Sequence, residues 1–432
     1  MNRTALLQSA LGHIWASRTI ADDFATLCSF GGRFAGTDSE ERAREWLAQR
    51  VAQATGVAVR RDSVAYRGWR RGPARIVLPD GRALPALGLV RTVATSQQGL
   101  TARLVDLGRG TPQDVARAGD SVRGAIVLVR HEFMLGTGHM HRRRKYDAAR
   151  EAGAAGFVIA FHEPGCLAVT GSSGDGGPGH IPSAGVSHET AAALSAVAGQ
   201  MVALHTAGEF RDAHAENLLA RMAGVGASRV VLSAHYDGHD PATSAIDNAS
   251  GVITAIAAAE ALRDHVRSLP CGLELALFTV EEWALIGSRL HLETMGSEDR
   301  DRLAFNVNLD SVAGGPGLTA ITGGFPGVAE FVSRAAETIG VPIGIHHGFM
   351  ANSDHANFVR QGIPALRLCA GFDQPASHLR LLLTAADTPD KVRPEELKTA
   401  ASVAAALAVA ACSDPDVPAR VPPETGRRIA EA

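Results

Sequence analysis

From Asn217 to about Ala411 the chain alternates apolar runs of strand length with helical stretches. No other feature narrows the fold as much. Residues 229–233, 272–279, 304–310 and 365–368 read as buried strands. Residues 251–263, 328–339 and 394–411 read as helices. Strands separated by helices pair side by side through crossovers, so the expected architecture is α/β, a mostly parallel central sheet flanked by helices. Upstream the texture differs. Residues 1–56 read as helical with a break at Gly31-Gly32, and 57–64 alternates as a strand. Between Arg71 and Phe210, short strands at 76–78, 104–107, 125–129 and 156–161 lie among glycines and prolines. One helix, 146–152, and a loop at 170–179 interrupt them. A chain of 432 residues exceeds one ordinary core. The expected organisation is a discontinuous domain, residues 1–70 and 212–432, interrupted by a smaller β-rich insertion at 71–211.

Charge and cysteine usage exclude several classes. A formal net charge of -3 supplies no general attraction for nucleic acid or anionic lipid, so neither is an expected partner. The basic run Arg142-Arg143-Arg144-Lys145 is short and reads as a solvated helix face. Cys28, Cys166, Cys271, Cys369 and Cys412 are scattered, which argues against a disulfide framework or a thiolate zinc site. The N-terminal stretch reads as an amphipathic helix rather than a secretion signal. No run reaches the ~20 apolar residues of a membrane span, and the Ala-rich stretch 399–412 reads as a packed helix. The expected compartment is the cytoplasm.

Four clusters follow strands of the second segment, where open α/β sheets bind ligands. His235-Tyr236-Asp237 pairs a potential ligand with a carboxylate that could orient it, although a polar strand end is the plainer reading. Asp247-Asn248-Ala249-Ser250-Gly251 opens a helix; it is either an ordinary N-cap or a carboxylate free to bridge two cations. Glu281-Glu282 suits a helix N-terminus. Its side chains diverge, however, so one could hold a metal while the other serves as general base. Asp310 ends an apolar strand, a costly place unless it is paired, hydrated or bound to metal. Together the four clusters make an oxygen-and-nitrogen site suited to zinc or a similar ion.

This ordered set resembles the co-catalytic zinc aminopeptidases, a family that also contains glutamate carboxypeptidases and glutaminyl cyclases. Gly32-Arg33-Phe34-Ala35-Gly36-Thr37 resembles its N-terminal signature. Ser353-Asp354-His355, Phe358 and Gly362-Ile363-Pro364 resemble a late one. The insertion resembles a protease-associated domain through Gly124, Ile126-Val127-Leu128-Val129 and Ala152-Gly153-Ala154. The resemblance implies a hydrolase of small peptide or amide substrates. It places His235 and Asp310 on a first metal, Asp247 as the bridge and Glu282 on the second. Glu281 becomes the general base, Asp237 the group orienting His235, and Asp247–Asn248 a cis peptide.

One position departs from the family. Its second metal takes a late histidine from His-Thr-x-x-Asp-Thr, which stands here as Leu383-Thr384-Ala385-Ala386-Asp387-Thr388. Leucine cannot bind a cation. His378 could replace it, or His346, His347 or His355, or the second position could be weak or empty and leave a single zinc. His131, His139 and His141 read as a surface loop, with contact to an acidic substrate as the alternative. The expected activity is that of an aminopeptidase-type exopeptidase. An N-acyl amino acid amidohydrolase, a single-zinc acyl transferase of glutaminyl-cyclase type and a non-catalytic scaffold are the alternatives. A homo-oligomer remains open.

Overall fold

The computed structural model describes residues 3–174 and 176–431. Met1 and Asn2, at the head of the expected first helix, Asp175, inside the expected 170–179 loop, and Ala432 lie outside the described residues. The first strands in chain order are β1 (Arg60–Val77), β2 (Ala83–Gly88), β3 (Leu100–Asp106), β4 (Ile126–Arg130), β5 (Gly156–Ala160), β6 (Ser183–Val186) and β7 (Met201–Met222). They continue with β8 (Arg229–His235), β9 (Gly272–Phe278), β10 (Leu303–Leu309), β11 (Leu318–Ile321), β12 (Ile343–His346) and β13 (Ala365–Ala370). All join one mixed sheet in the order β1-β2-β6-β5-β4-β3-β7-β9-β8-β10-β13-β11-β12, with β1 also paired to β7.

The centre, β9-β8-β10-β13, is parallel, as the strand–helix alternation predicts. Every residue of β8 and β9 is buried, because helices cover both faces of such a sheet. Two of those helices, Ser250–Leu262 and Pro394–Ser413, pack against each other. By length and composition alone both, the first taken with the turn that leads into it, could cross a membrane. Most of each is buried inside the fold. Helices Arg3–Ala16, Thr19–Ser29 and Asp38–Thr55 add Leu7, Ile14, Leu27 and Val51 to the same core.

The strand expected at 57–64 extends to Val77, because it pairs with β7 from Arg60↔Leu219 to Val77↔Ala203. The register shifts between Arg71 and Ala74. There a Cβ on Gly72 would lie 2.7 Å from that of Ala207, so glycine lets the two backbones approach. β7 pairs with β9 at one end and β3 at the other, and so carries the sheet into the insertion. Strands β3 to β6 are parallel and bury two apolar clusters of their own. The helix expected at 146–152 is Arg142–Glu151. It starts earlier because the His141 Nδ1 accepts the Arg143 N–H and caps it.

Candidate metal centre

Three neighbouring parallel strands deliver the chemistry to one edge. β8 ends at His235, β9 is followed by Glu281 and Glu282, and β10 is followed by Asp310. Parallel strands lie about 4.8 Å apart, so side chains just past their ends converge without any loop having to reach. Ligand atoms of His235, Glu281 and Asp310 all lie within 4.8 Å of one another, and all three residues are buried. Asp247 joins from the turn before helix Ser250–Leu262, where the Asp247–Asn248 peptide is cis. The His235 Nε2 stands 3.2 Å from Asp247 Oδ1 and 3.9 Å from Asp310 Oδ1.

A ring of buried hydrogen bonds aims these groups. His235 Nδ1 faces the Asp237 carbonyl at 3.1 Å and the Asp237 carboxylate at 3.7 Å. With its proton on that side, the ring presents the Nε2 lone pair to the carboxylates. The Asp237 carboxylate also accepts the backbone N–H groups of Glu281 at 3.1 Å and Glu282 at 3.3 Å. Asp387 accepts those of Ile246 at 2.7 Å and Asp247 at 3.1 Å. The aspartate of the altered late motif therefore still fixes the Asp247 turn. Asp310 accepts from Arg367 at 3.0 Å and from Ser353. Arg33, fully buried, donates to the carbonyls of Tyr236, Thr243 and Ser244 and clamps the loop after β8.

Charge in this pocket is strongly one-sided. Burial pushes the Glu281 carboxyl well above its ordinary range; Glu282, Asp354 and Asp310 add to that and His235 opposes it. Burial disfavours the His235 cation, yet Glu281, Asp237, Asp247 and Asp310 together raise its proton affinity well above the usual value. Burial also works against the Asp310 charge, but Arg367 and His235 hold that carboxyl well below its usual range. A divalent cation is the natural counter-charge for such a set.

A second pair stands beside the first group. His239 Nε2 lies 2.8 Å from Glu282 Oε2. Neither ring nitrogen of His239 has a hydrogen-bond partner, and the same is true of Glu282 Oε1 and Asp247 Oδ1. Sequence reasoning missed His239; its signal was the alternation His235, Asp237, His239 along one extended segment. His378, the replacement ligand anticipated from the sequence, is not brought to the group. It is exposed, with Nδ1 3.0 Å from the Lys391 carbonyl and its backbone N–H on the Gly314 carbonyl. His346 packs on Phe372, His347 is exposed and His355 is buried beside Phe349. Leu383 is buried in an apolar cluster of the insertion. The donor set itself fits zinc. It is nitrogen and carboxylate oxygen, and the His235 Nε2, 3.2 and 3.9 Å from Asp247 and Asp310, brackets the roughly 3.3–3.6 Å between two donors on one tetrahedral zinc ion with bonds of about 2.0–2.2 Å.

Above Glu281 and Glu282 opens a cleft of about 680 Å³. His139, His141, Arg142, Arg143 and Arg144 line it from the insertion, and Phe349, Met350 and Arg360 from the α/β side. This corrects two expectations, the surface loop and the solvated basic face. His131 is buried. Arg142 is buried as well, donating through Nε to the Ser172 carbonyl at 2.9 Å. Its guanidinium occupies the space a Cβ on Gly171 would need. Burial lowers the Arg142 pKa to about 10, and the nearby Glu282 carboxylate opposes that shift. Burial likewise takes the His141 imidazole to about 3, leaving it neutral, as its capping role requires.

Residues 217–408 match Peptidase family M28, and residues 100–194 match the PA domain. The chain is 28% identical over 268 residues to Probable leucine aminopeptidase 2 of Arthroderma benhamiae, a match covering 58% of this chain and 52% of that protein. It is 26% identical over 277 residues to Carboxypeptidase Q of Rattus norvegicus, covering 61% and 58%. The chain thus spans little more than half the length of these curated relatives. Among solved structures, the Peptidase M28 precursor from Shewanella amazonensis SB2B has a TM-score of 0.79 at 23% identity, over 97% of this chain and 99% of that one. BSAP, a zinc aminopeptidase from Bacillus subtilis, has a TM-score of 0.72 at 22% identity, over 92% and 98%. These two likenesses carry the fold.

Proposed function

The chain is a member of peptidase family M28 with a PA domain inserted in it, and on that premise we propose that it is a zinc-dependent exopeptidase acting on small peptides or amides. One observation carries the reading: His235, Glu281 and Asp310 converge, buried, past the ends of adjacent strands, and the half-buried Asp247 meets His235 from the turn before helix Ser250–Leu262. In this reading residues 1–70 and 212–432 are the catalytic domain, and 71–211 walls its cleft. His235 and Asp310 would hold one ion and Glu282 a second, with the Asp247 carboxylate available beside them. Bound zinc would supply an acidified water and a positive charge for the carbonyl oxygen. Glu281 takes the proton of the attacking water and returns it to the leaving amine. A carboxyl whose proton affinity is raised by burial suits both transfers. Asp237 holds the backbone of Glu281, and so the position of its carboxylate.

The aminopeptidase relatives favour a substrate with a free N-terminus. The test is the Glu281→Gln variant, assayed on aminoacyl amides, dipeptides and N-acyl amino acids with metal content measured alongside. Turnover is expected to fall about 10²- to 10⁴-fold while zinc is retained. Near-wild-type turnover would remove Glu281 from the chemistry.

The cleft wall favours a second reading for the substrate. Arg142, Arg143, Arg144 and Arg360 face the space above the glutamates, which suits a substrate bearing a free carboxylate. Carboxypeptidase Q among the relatives is consistent with this. Arg142→Ala should then raise KM for dipeptides about 10-fold or more and leave KM for the corresponding amides unchanged. An equal change for both would return the arginines to a structural role.

A further inference from the structure

We propose that His239 is the nitrogen ligand of a second metal position, completed by Glu282 and Asp247. The chain would then hold two zinc ions although Leu383 stands where its relatives' pattern has histidine. The inference rests on the metallopeptidase reading above and extends it to a residue that no motif marks.

His239 is 2% exposed, and its Nε2 lies 2.8 Å from Glu282 Oε2 without the alignment of a hydrogen bond. The His239 Nδ1 and Glu282 Oε1 are also buried without a hydrogen-bond partner, and the buried Asp247 Oδ1 faces the His235 Nε2 at 3.2 Å. Buried polar atoms without partners are rare and costly. Three from two facing side chains, one imidazole and one carboxylate, together with the Asp247 carboxylate make the donor set of a zinc position. The separation of 2.8 Å is a direct contact, so the imidazole and the carboxylate already face each other across less than the roughly 3.3–3.6 Å that two donors on one tetrahedral zinc ion span.

The backbone around His239 is held firmly enough to keep the ring there. The His239 N–H donates to Ser244 Oγ at 2.9 Å, and Gly238 N–H donates to the Arg33 carbonyl at 3.2 Å. Gly32 lets the chain pass the His239 carbonyl, where a Cβ would come within 2.2 Å. Leu383 is turned away, its side chain in the apolar core of the insertion and its carbonyl accepting the Thr170 N–H at 2.8 Å. A ligand lost from the late motif is thereby matched by one gained four residues after His235.

The test uses the full chain, loaded with zinc and desalted, with zinc per chain measured by elemental mass spectrometry and histidine ligation by X-ray absorption. The wild type should retain about two zinc ions, with about one imidazole per zinc. His239→Ala should retain about one, and His378→Ala about two. Two zinc ions in a folded His239→Ala variant would overturn the proposal and leave the metallopeptidase reading standing, as would a single ion in the wild type. No zinc in the wild type would overturn both. Should His239→Ala not fold, the wild-type spectrum decides: about half an imidazole per zinc would mean that His235 alone ligates.

Discussion

Asp237 shows how a single carboxylate can serve two strand ends. The sequence reading placed it beside His235, where it stands, 3.7 Å from Nδ1. That reading could not see that both carboxylate oxygens receive backbone N–H groups from Glu281 and Glu282, 44 and 45 residues away. Asp237→Asn keeps the shape but turns one acceptor into a donor facing an N–H. It should cost about 1–3 kcal/mol in chemical denaturation and lower turnover, with zinc content unchanged. Unchanged stability would mean that those two hydrogen bonds do not hold the turn. Leu383 teaches the converse at the same scale. Asp387, four residues on, keeps its grip on the backbone of Ile246 and Asp247, so the late motif retains its structural half after its histidine is gone.

Helix Arg142–Glu151 opens with four consecutive cations, at the end of a helix that disfavours them. Partners outside the helix and one pair within it compensate. Lys145 donates to the Arg130 carbonyl and to Glu132, and Arg143 pairs with Asp147. Burial raises the Glu132 carboxyl, but Arg109 and Lys145 outweigh it and take the pKa to about 2, from an ordinary 4.5. A carboxyl depressed on folding stabilises the native state above its unfolded value and loses that contribution as pH falls towards the folded one. Hydrogen-exchange protection factors in residues 142–151, taken relative to the intrinsic rate at each pH, should therefore fall between about pH 4.5 and pH 2. A Glu132→Gln variant should show the lower protection already at neutral pH. If the protection factors stay constant across that window, Glu132 does not anchor the helix. Leu383 ties this insertion to the segment that carries Asp387, so Leu383→Ala should cost about 2–5 kcal/mol and expose the insertion to limited proteolysis.

Across the whole molecule, folding gathers Glu281 and Asp310, buried, with the half-buried Asp247 and Glu282, and sets His235 and His239 against them. A bound cation should therefore stabilise the native state. At free zinc about 1,000 times Kd the gain is about 4 kcal/mol, so chelation should lower Tm in calorimetry and zinc should restore it. A Tm indifferent to chelator would detach this pocket from metal. The α/β architecture and four of the clusters were legible along the chain because buried parallel strands are written as unbroken apolar runs. Groups that line a site at their ends must follow those runs directly, as His235, Glu281, Glu282 and Asp310 do. Three features were not legible: the long β1–β7 arms, the turning of Arg142 and His141 over the cleft, and the meeting of His239 with Glu282. Each depends on which distant backbones pair. Local apolar pattern records whether a residue is buried, but only the pairing of segments far apart in sequence sets which buried polar groups face one another.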